Sequence, residues 1–216
     1  MRRERMIRAA AAGVLACALS WAAGAQGLLD DLAIAVVNDR AGEVKSLLAR
    51  GMDPNSVDAK GDTMLGLAAR NGSVGATQAL LAAKANPNAP NRFGDTPLLI
   101  ASLKGNLEIV RALLAAGAEL NPRGWTPLIY AATGGHDDVI RYLLSRGADI
   151  DAASPNGTTA LMMAVHENRP DTARLLINRG ADLGHRNQDG ATALSWAKQR
   201  GDDDLVKELR RAGAKE

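Results

Sequence analysis

Residues 94–123 read GDTPLLIASLKGNLEIVRALLAAGAELNPR, and the pattern in this stretch recurs on both sides of it. Its opening motif, Gly-x-Thr-x-Leu, begins at Gly61, Gly94, Gly124, Gly157 and Gly190. Successive motifs start 33, 30, 33 and 33 residues apart. A nearly fixed period of this length indicates a stack of repeats, in which each unit buries its apolar faces against its neighbours. We therefore predict an all-α solenoid of helix–turn–helix units.

The threonine of each motif marks the predicted start of the first helix of a unit. A threonine hydroxyl at that position can accept a hydrogen bond from an unpaired backbone N–H in the first turn. Pro97 and Pro127 follow the threonine directly, at the first helical position, where proline loses no helical hydrogen bond. Leucine and alanine three residues apart, such as Leu98 and Ala101, then share one face of the helix.

The second helix of each unit carries a pair of apolar residues and ends near a glycine. The pairs are Leu80-Leu81, Leu113-Leu114, Leu143-Leu144 and Leu176-Ile177. Glycine closes a helix readily because it adopts the left-handed backbone conformation without strain. Lys84 takes that position in the second unit, and Gly75 and Ala76 make the helix before it small. We therefore predict that the second unit is the least stable.

The most complete copy of the pattern is GWTPLIYAATGGH at residues 124–136, followed by LLSRGAD at residues 143–149. It resembles the ankyrin repeat, and the resemblance extends in register over residues 28–216. Ankyrin resemblance implies a curved stack of helix pairs with projecting β-turn fingers. It also implies protein–protein binding through the finger tips and the concave face, without enzymatic activity. The expected repeats are 28–60, 61–93, 94–123, 124–156, 157–189 and 190–216.

Two departures from the ankyrin pattern carry expectations of their own. The histidine that usually follows Thr-Pro-Leu is missing from every copy, so we expect apolar packing to hold the repeats together. The finger after the third repeat is three residues short, since Asn121 leads through Pro122 and Arg123 directly to Gly124. In the last repeat, Arg210 stands where the others have an apolar residue, which is typical of a terminal cap.

Residues 1–25 have the features of a secretory signal peptide. A positive leader precedes an apolar run, and Ala23-Gly24-Ala25 places small residues at the positions that a signal peptidase reads. We expect cleavage before Gln26 and export to a bacterial periplasm. The alternative is a membrane anchor, through an uncleaved leader or through lipidation of Cys17, the only cysteine. No membrane insertion of the mature chain is expected.

Charge and motifs point away from nucleic acid and from catalysis. The net charge is +2, but residues 1–25 contribute +3 and leave −1 for the remainder, which does not favour nucleic-acid binding. His136 lies in the fourth repeat, and His166 and His185 lie far apart in the fifth, without metal-ligand spacing. Phosphate loops, nucleophile elbows and dinucleotide motifs are absent from the sequence. We therefore expect no catalytic residue, no cofactor and no metal.

By ankyrin resemblance, the residues that contact a partner flank each Gly-x-Thr and follow each first helix. Phe93 and Trp125 are the expected anchors, because aromatic residues carry much of the energy of protein interfaces. Alternatively, Trp125 packs locally over the shortened finger. We expect Trp196, which lies within a first helix, to belong to the core. The candidate binding residues are Arg92, Phe93, Asp95, Leu103, Lys104, Arg123, Trp125, Thr133, Asn156, Thr158 and His166.

The sequence thus predicts a monomeric, non-enzymatic binding protein of the periplasm, similar to small exported bacterial ankyrin-repeat proteins. Its partner is another protein, and an accessory or immunity role towards an envelope enzyme is one specific form of this prediction. A membrane-tethered scaffold is the first alternative. A protein that binds a small ligand in the groove is the second, although the sequence lacks the convergent polar cluster that such a site needs.

Overall fold

The computed structural model of the chain describes residues 27–215. Within that range the chain forms twelve helices in six consecutive pairs, which confirms the predicted all-α ankyrin solenoid. The first helices of the pairs are α1 (27–37), α3 (Met64–Asn71), α5 (Pro97–Lys104), α7 (Pro127–Gly134), α9 (Ala160–His166) and α11 (Ala193–Arg200). The second helices are α2 (Ala41–Ala49), α4 (Val74–Ala82), α6 (Leu107–Ala115), α8 (Asp137–Ser145), α10 (Pro170–Asn178) and α12 (Asp203–Arg211).

Threonine caps start the first helices of the second to sixth repeats, as the sequence predicts. Each hydroxyl accepts from the backbone N–H three residues ahead, over 3.0 to 3.4 Å. Thr192 forms a full capping box, because the Ser195 hydroxyl accepts in return from the Thr192 N–H. These bonds satisfy donors that the first turn of a helix leaves unpaired. The capping threonines are Thr63, Thr96, Thr126, Thr159 and Thr192.

The helices stack in two layers. In one layer, α3, α5, α7, α9 and α11 contact each other in order, and in the other the contacts run from α2 through α4, α6, α8 and α10 to α12. A continuous apolar core lies between the layers. The first leucine of each apolar pair is fully buried there, as Leu113 and Leu143 show. In the last repeat Leu209 is buried while Arg210 is exposed, so the polar cap is confirmed.

Hydrogen bonds also link neighbouring repeats, which corrects the expectation that apolar packing alone would do so. The side chain of Asn88 accepts from Glu119 N–H at 2.8 Å and donates to Gly117 O at 3.1 Å. Asn121 makes the equivalent bonds to the fourth repeat. Asn and Asp side chains in the loops after the second helices therefore supply polar links between repeats. The residues of this series are Asn55, Asn88, Asn121 and Asp151.

Four of the five connections between repeats contain a tight turn, which we call a finger, at residues 57–63, 90–96, 153–159 and 186–192. One polar side chain holds each finger by accepting from the backbone N–H four residues later. The residues that do this are Asp58, Asn91, Ser154 and Asn187. The connection between the third and fourth repeats has no equivalent of them, because its three missing residues fall there.

Nothing among the helices of residues 27–215 combines the length and the apolar composition needed to cross a membrane. The predicted signal peptide and Cys17 lie outside the described residues.

Candidate protein-binding surface

One side chain per repeat, six residues after the motif glycine, forms a row along the first helices. Because the repeats stack, residues at equivalent positions fall next to each other. We call this row the apolar stripe, since every member is apolar or aromatic. Its members are Ile34, Leu67, Ile100, Tyr130, Met163 and Trp196.

A second row lies three residues further along the same helices, one turn from the apolar stripe. Members of the two rows line the same cavities, so the rows lie side by side on one surface. We call this surface, together with the fingers, the first-helix face. The second row consists of Val37, Arg70, Leu103, Thr133, His166 and Gln199.

All of the large apolar side chains that are exposed among residues 27–215 lie on the first-helix face. Ile34 and Val37 belong to the two rows, Val57 and Phe93 to fingers, and Trp125 to the shortened connection. Phe93 is 70% exposed and Trp125 is 40% exposed. Such a concentration of exposed apolar groups marks an interaction surface, whereas scattered single residues do not.

The centre of the face holds a cavity of about 210 Å³, lined by Leu103, Trp125, Tyr130, Thr133 and Met163. These residues come from three successive repeats. The rings of Trp125 and Tyr130 meet edge to face, with centroids 6.0 Å apart and an interplanar angle of 89°. The Tyr130 hydroxyl donates to Asp95 Oδ1 at 2.6 Å, which ties the fourth repeat to the third.

The environment of Tyr130 keeps its hydroxyl protonated. Burial raises the pKa of Tyr130, and the hydrogen bond to Asp95 and the negative charge of that carboxylate raise it further. A neutral tyrosine is the form that can donate to a carboxylate. At neutral pH this hydrogen bond therefore holds the aromatic wall of the cavity in place.

Basic residues lie next to the cavity-lining residues along the chain. Lys104 directly follows Leu103, and Arg123 lies two residues before Trp125; both are exposed. The guanidinium of Arg92 lies 4.7 Å from the centroid of the Phe93 ring, in a cation–π arrangement. The candidate anchors Phe93 and Trp125 thus stand among arginine and lysine side chains, which suits an interface.

A second aromatic site lies near the C-terminal end of the face. The rings of His166 and Trp196 have centroids 5.4 Å apart and, with Gln199 and Arg200, line a cavity of about 360 Å³. Trp196 packs against the core while staying partly exposed. The sequence predicted a core residue, and the structure corrects this: one side of the indole packs inward and the other forms part of the surface.

The structure places most of the predicted binding residues on the accessible surface, with one exception. Arg92, Phe93, Lys104, Arg123, Trp125, Asn156 and His166 are exposed, and Asp95, Leu103 and Thr133 are half-buried. Thr158 is only 1% exposed, so the prediction that it contacts a partner is wrong. The following finger covers it: Gln188 N–H donates to Asn156 O at 3.0 Å, and His185 Nε2 lies 2.9 Å from Gly157 O.

Ile34, Val37, Tyr130 and Met163 belong to the face but were not among the predicted residues. The repeat period carries the signal that would have found them, since each lies a whole number of repeats from a residue such as Leu103 or Trp196. The predicted binding residues flank the motifs and follow the first helices. Of the residues six positions after the motif glycine, only Trp196 had a predicted location, which was the core.

The histidines have separate partners. His136 Nε2 lies 2.9 Å from Leu103 O, and His166 Nδ1 lies 2.9 Å from Glu167 Oε1. In the part of the chain that the structure describes, no three His, Cys, Asp or Glu residues come together as a potential metal site.

A family model described as "Ankyrin repeats (3 copies)" matches residues 32–123, 82–154, 118–187 and 151–215. These overlapping matches span nearly all of the described residues.

Solved structures agree with this match. An ankyrin repeat domain from Acinetobacter baumannii AYE is 33% identical, with a TM-score of 0.74, over 85% of this chain and 98% of that one. The human ASB11 ankyrin repeat domain is 29% identical, with a TM-score of 0.78, over 85% and 84%. The ankyrin repeat domain of Bcl-3, a member of the IkappaB protein family, is 31% identical, with a TM-score of 0.76, over 86% of each chain. Among curated proteins, none matches the chain.

Proposed function

The chain belongs to the ankyrin-repeat family, and on that premise we propose that it is a non-enzymatic module that binds another protein through its first-helix face. Ankyrin repeats are generally protein–protein interaction modules and are typically non-enzymatic. The observation that carries the proposal is the location of the exposed apolar side chains, from Ile34 at one end to Trp125 at the centre. Burying them against a partner releases the water that they now contact.

The face is also well ordered before a partner arrives. The fingers are held by side chain–backbone hydrogen bonds, and Tyr130 is fixed by Asp95. A surface that is already in its bound shape loses little conformational entropy on association. This favours recognition of a folded or extended protein segment without remodelling of the repeats.

We propose further that the protein works in a bacterial periplasm as one of the small exported ankyrin-repeat proteins. The support is the leader of residues 1–25, with its basic start, apolar run and small residues before Gln26. An accessory or immunity role towards an envelope enzyme is the specific form of this proposal. The exposed Arg210 on the last repeat supports a monomer, because stacking another chain on this polar surface would bury a charged side chain.

The alternative is a tethered scaffold, and it is favoured by the position of Cys17 within the leader. Mass spectrometry of the protein isolated from its native host separates the two. A mature chain that begins at Gln26 supports soluble export, whereas a lipid on Cys17 or a retained leader supports tethering. A small molecule that copurifies with the protein would instead favour a ligand-binding role.

The binding proposal is tested by a pull-down from periplasmic extract. The wild-type chain is compared with the Phe93→Ala, Trp125→Ala double variant, which removes the two anchors. The matched control is the Lys45→Ala, Arg146→Ala double variant, since Lys45 is exposed on α2 and Arg146 is exposed directly after α8, both away from the face. We expect the anchor variant to lose the partner and the control to retain it. Equal capture by all three chains, at equal melting temperature, would refute this site.

A further inference from the structure

We propose that the shortened connection between the third and fourth repeats opens a pocket that receives one large apolar side chain from an acidic segment of the partner. This inference rests on the proposed function and adds the chemistry of the partner. The pocket is the cavity of about 210 Å³ between Leu103, Trp125, Tyr130, Thr133 and Met163.

The pocket lies next to the connection that lacks a finger. The other four connections each have a finger, and only the one between residues 121 and 124 lacks three residues. Trp125 follows directly, at the repeat position that Asp62, Asp95 and Thr158 occupy elsewhere. Its indole lines the pocket with part of its surface exposed, so the pocket opens beside the gap.

Three polar groups at the lining are already engaged within the protein, and the indole N–H of the partly exposed Trp125 is the remaining donor. The Tyr130 hydroxyl donates to Asp95 at 2.6 Å, and the Thr133 hydroxyl donates to Ile129 O at 2.9 Å. The Leu103 carbonyl lies 2.9 Å from His136 Nε2. A polar group that entered would lose its water without gaining these partners, whereas an apolar group loses nothing. The pocket therefore selects an apolar side chain.

The walls combine rigid and adaptable surfaces. Trp125 and Tyr130 hold each other edge to face and present flat aromatic walls at little cost in entropy. Met163, which is unbranched and flexible, lines the pocket from the next repeat and can adjust to the shape of what enters. Leu, Ile, Met or Phe from a partner can all be accommodated on this basis.

The charges beside the pocket determine which residues can flank that side chain in the partner. Lys104 and Arg123 are both exposed, and neither forms an ion pair with a carboxylate among residues 27–215. The nearby carboxylate of Asp95 accepts the Tyr130 hydrogen bond. Lys104 and Arg123 thus offer two positive charges next to lining residues in the chain, against the one negative charge of Asp95, and complementary charge speeds association and fixes register. A partner segment with Asp and Glu around one large apolar side chain is complementary to both the charges and the pocket.

The test is the selection of short random peptides, displayed on phage, on the purified full-length chain. We expect the selected peptides to be rich in Asp and Glu around one large apolar residue. Replacing that residue by Ala should weaken binding at least about tenfold, the loss that corresponds to a well-buried side chain. The Lys104→Glu, Arg123→Glu variant should bind the same peptides about tenfold more weakly.

Two further variants locate the site. Thr133→Trp fills the pocket and should abolish peptide binding, while Gln199→Trp, at the same position two repeats later and exposed, should not. The charge control is Lys45→Glu on α2 combined with Arg146→Glu directly after α8. In a Trp21→Phe, Trp196→Phe background, which leaves Trp125 as the only tryptophan, peptide binding should also change the fluorescence of Trp125. This fluorescence measurement does not depend on whether the pocket-filling variant Thr133→Trp folds.

Peptides without an acidic bias, or peptides unaffected by Thr133→Trp and by the charge reversal, would overturn the inference while leaving the proposed function intact. Failure to select any peptide would overturn it as well. The proposed function is decided separately, by the pull-down with the Phe93→Ala, Trp125→Ala variant, so the two failures can be told apart.

Discussion

Helices α4 and α8 occupy equivalent places in the second and fourth repeats but offer surfaces of very different size. Where α8 buries Val139 and Ile140, α4 buries Ala76 and Thr77. The first repeat packs closely against the smaller helix α4. A Cβ atom added to Gly75 would lie only 3.1 Å from the Cβ of Ala41.

Polar contacts replace part of the apolar burial in the second repeat. Asp39 Oδ1 accepts from Ala76 N–H at 2.7 Å, and the Ser73 hydroxyl lies 3.3 Å from Val37 O. A hydrogen bond adds about 1 kcal/mol net, since water competes for both partners, whereas a buried branched side chain adds about 1.5–3 kcal/mol. Helices α4 and α8 thus have equivalent places in the fold but do not contribute equally to its stability. We still expect the second repeat to open first.

The largest effect is expected from leucine truncation in the two helices. Leu143→Ala and Leu80→Ala each remove a fully buried side chain and should lower the free energy of unfolding by about 2–5 kcal/mol. Leu80→Ala should act mainly near the N-terminal end, because stability in such arrays is largely local. Urea denaturation combined with amide hydrogen exchange measures both. An unchanged unfolding curve for either variant would contradict the assigned core.

The next effect concerns the polar link that holds α4. Asp39→Ala removes the acceptor for the Ala76 N–H and should cost about 1 kcal/mol, as loss of a capping side chain does. Amide exchange should quicken in residues 74–82 and stay unchanged in residues 137–145. Asp39→Asn is the matched control, because it keeps an acceptor and tolerates the φ of 53° at this position. Uniform acceleration in both helices would show that the link is not local.

A smaller effect follows from the residue that ends each second helix. Lys84 has a φ of 66°, where its equivalent in the third repeat, Gly117, has a φ of 89°. Lys84→Gly should stabilise the protein and Gly117→Lys should destabilise it, each by up to about 1 kcal/mol, because only glycine adopts this backbone without strain. Melting temperatures of the two single variants and of the exchange double variant provide the measurement. Destabilisation by Lys84→Gly would mean that its side chain contributes more than the strain costs.

The smallest effect is expected from the polar link of the fourth repeat, and it depends on pH. The pKa of Tyr130 is raised above its ordinary value of 10.0 in the folded chain, so above pH 10 the unfolded chain loses this proton first. The folded chain then binds more protons than the unfolded one, so the free energy of unfolding falls as pH rises. The slope of this fall corresponds to at most one proton. Tyr130→Phe should show a shallower fall in melting temperature above pH 10. Parallel curves for the two chains would contradict the proposed role of the Tyr130–Asp95 bond.

Much of the fold was predictable because it rests on local rules. The capping threonines and the exposed Arg210 each follow from the chemistry of one residue at one helix position. The repeat period then determines how the units stack, since neighbouring units bury equivalent faces against each other. The predicted anchors Phe93 and Trp125 are exposed because they lie in turns, which stay at the surface.

The errors arose where exposure depends on a neighbouring repeat. Thr158 looks like a surface residue in its own finger, and it is buried because the next finger covers it. Trp196 looks like a core residue in its own helix, and it stays partly exposed because it stands in the row that faces outward. Burial of this kind is a property of the stack, so no single repeat contains the information.

By itself, the sequence determines the repeat, its helix starts and ends, the apolar pairs and the length of each connection, because all of these depend on contacts within about one turn or one period. The tertiary structure decides which side chains meet across repeats. It brings Leu103, Tyr130 and Met163 around one cavity, joins Tyr130 to Asp95, and places the opening beside the missing finger. Such contacts depend on how closely the helices approach, and that distance is set by the packing of all the repeats together.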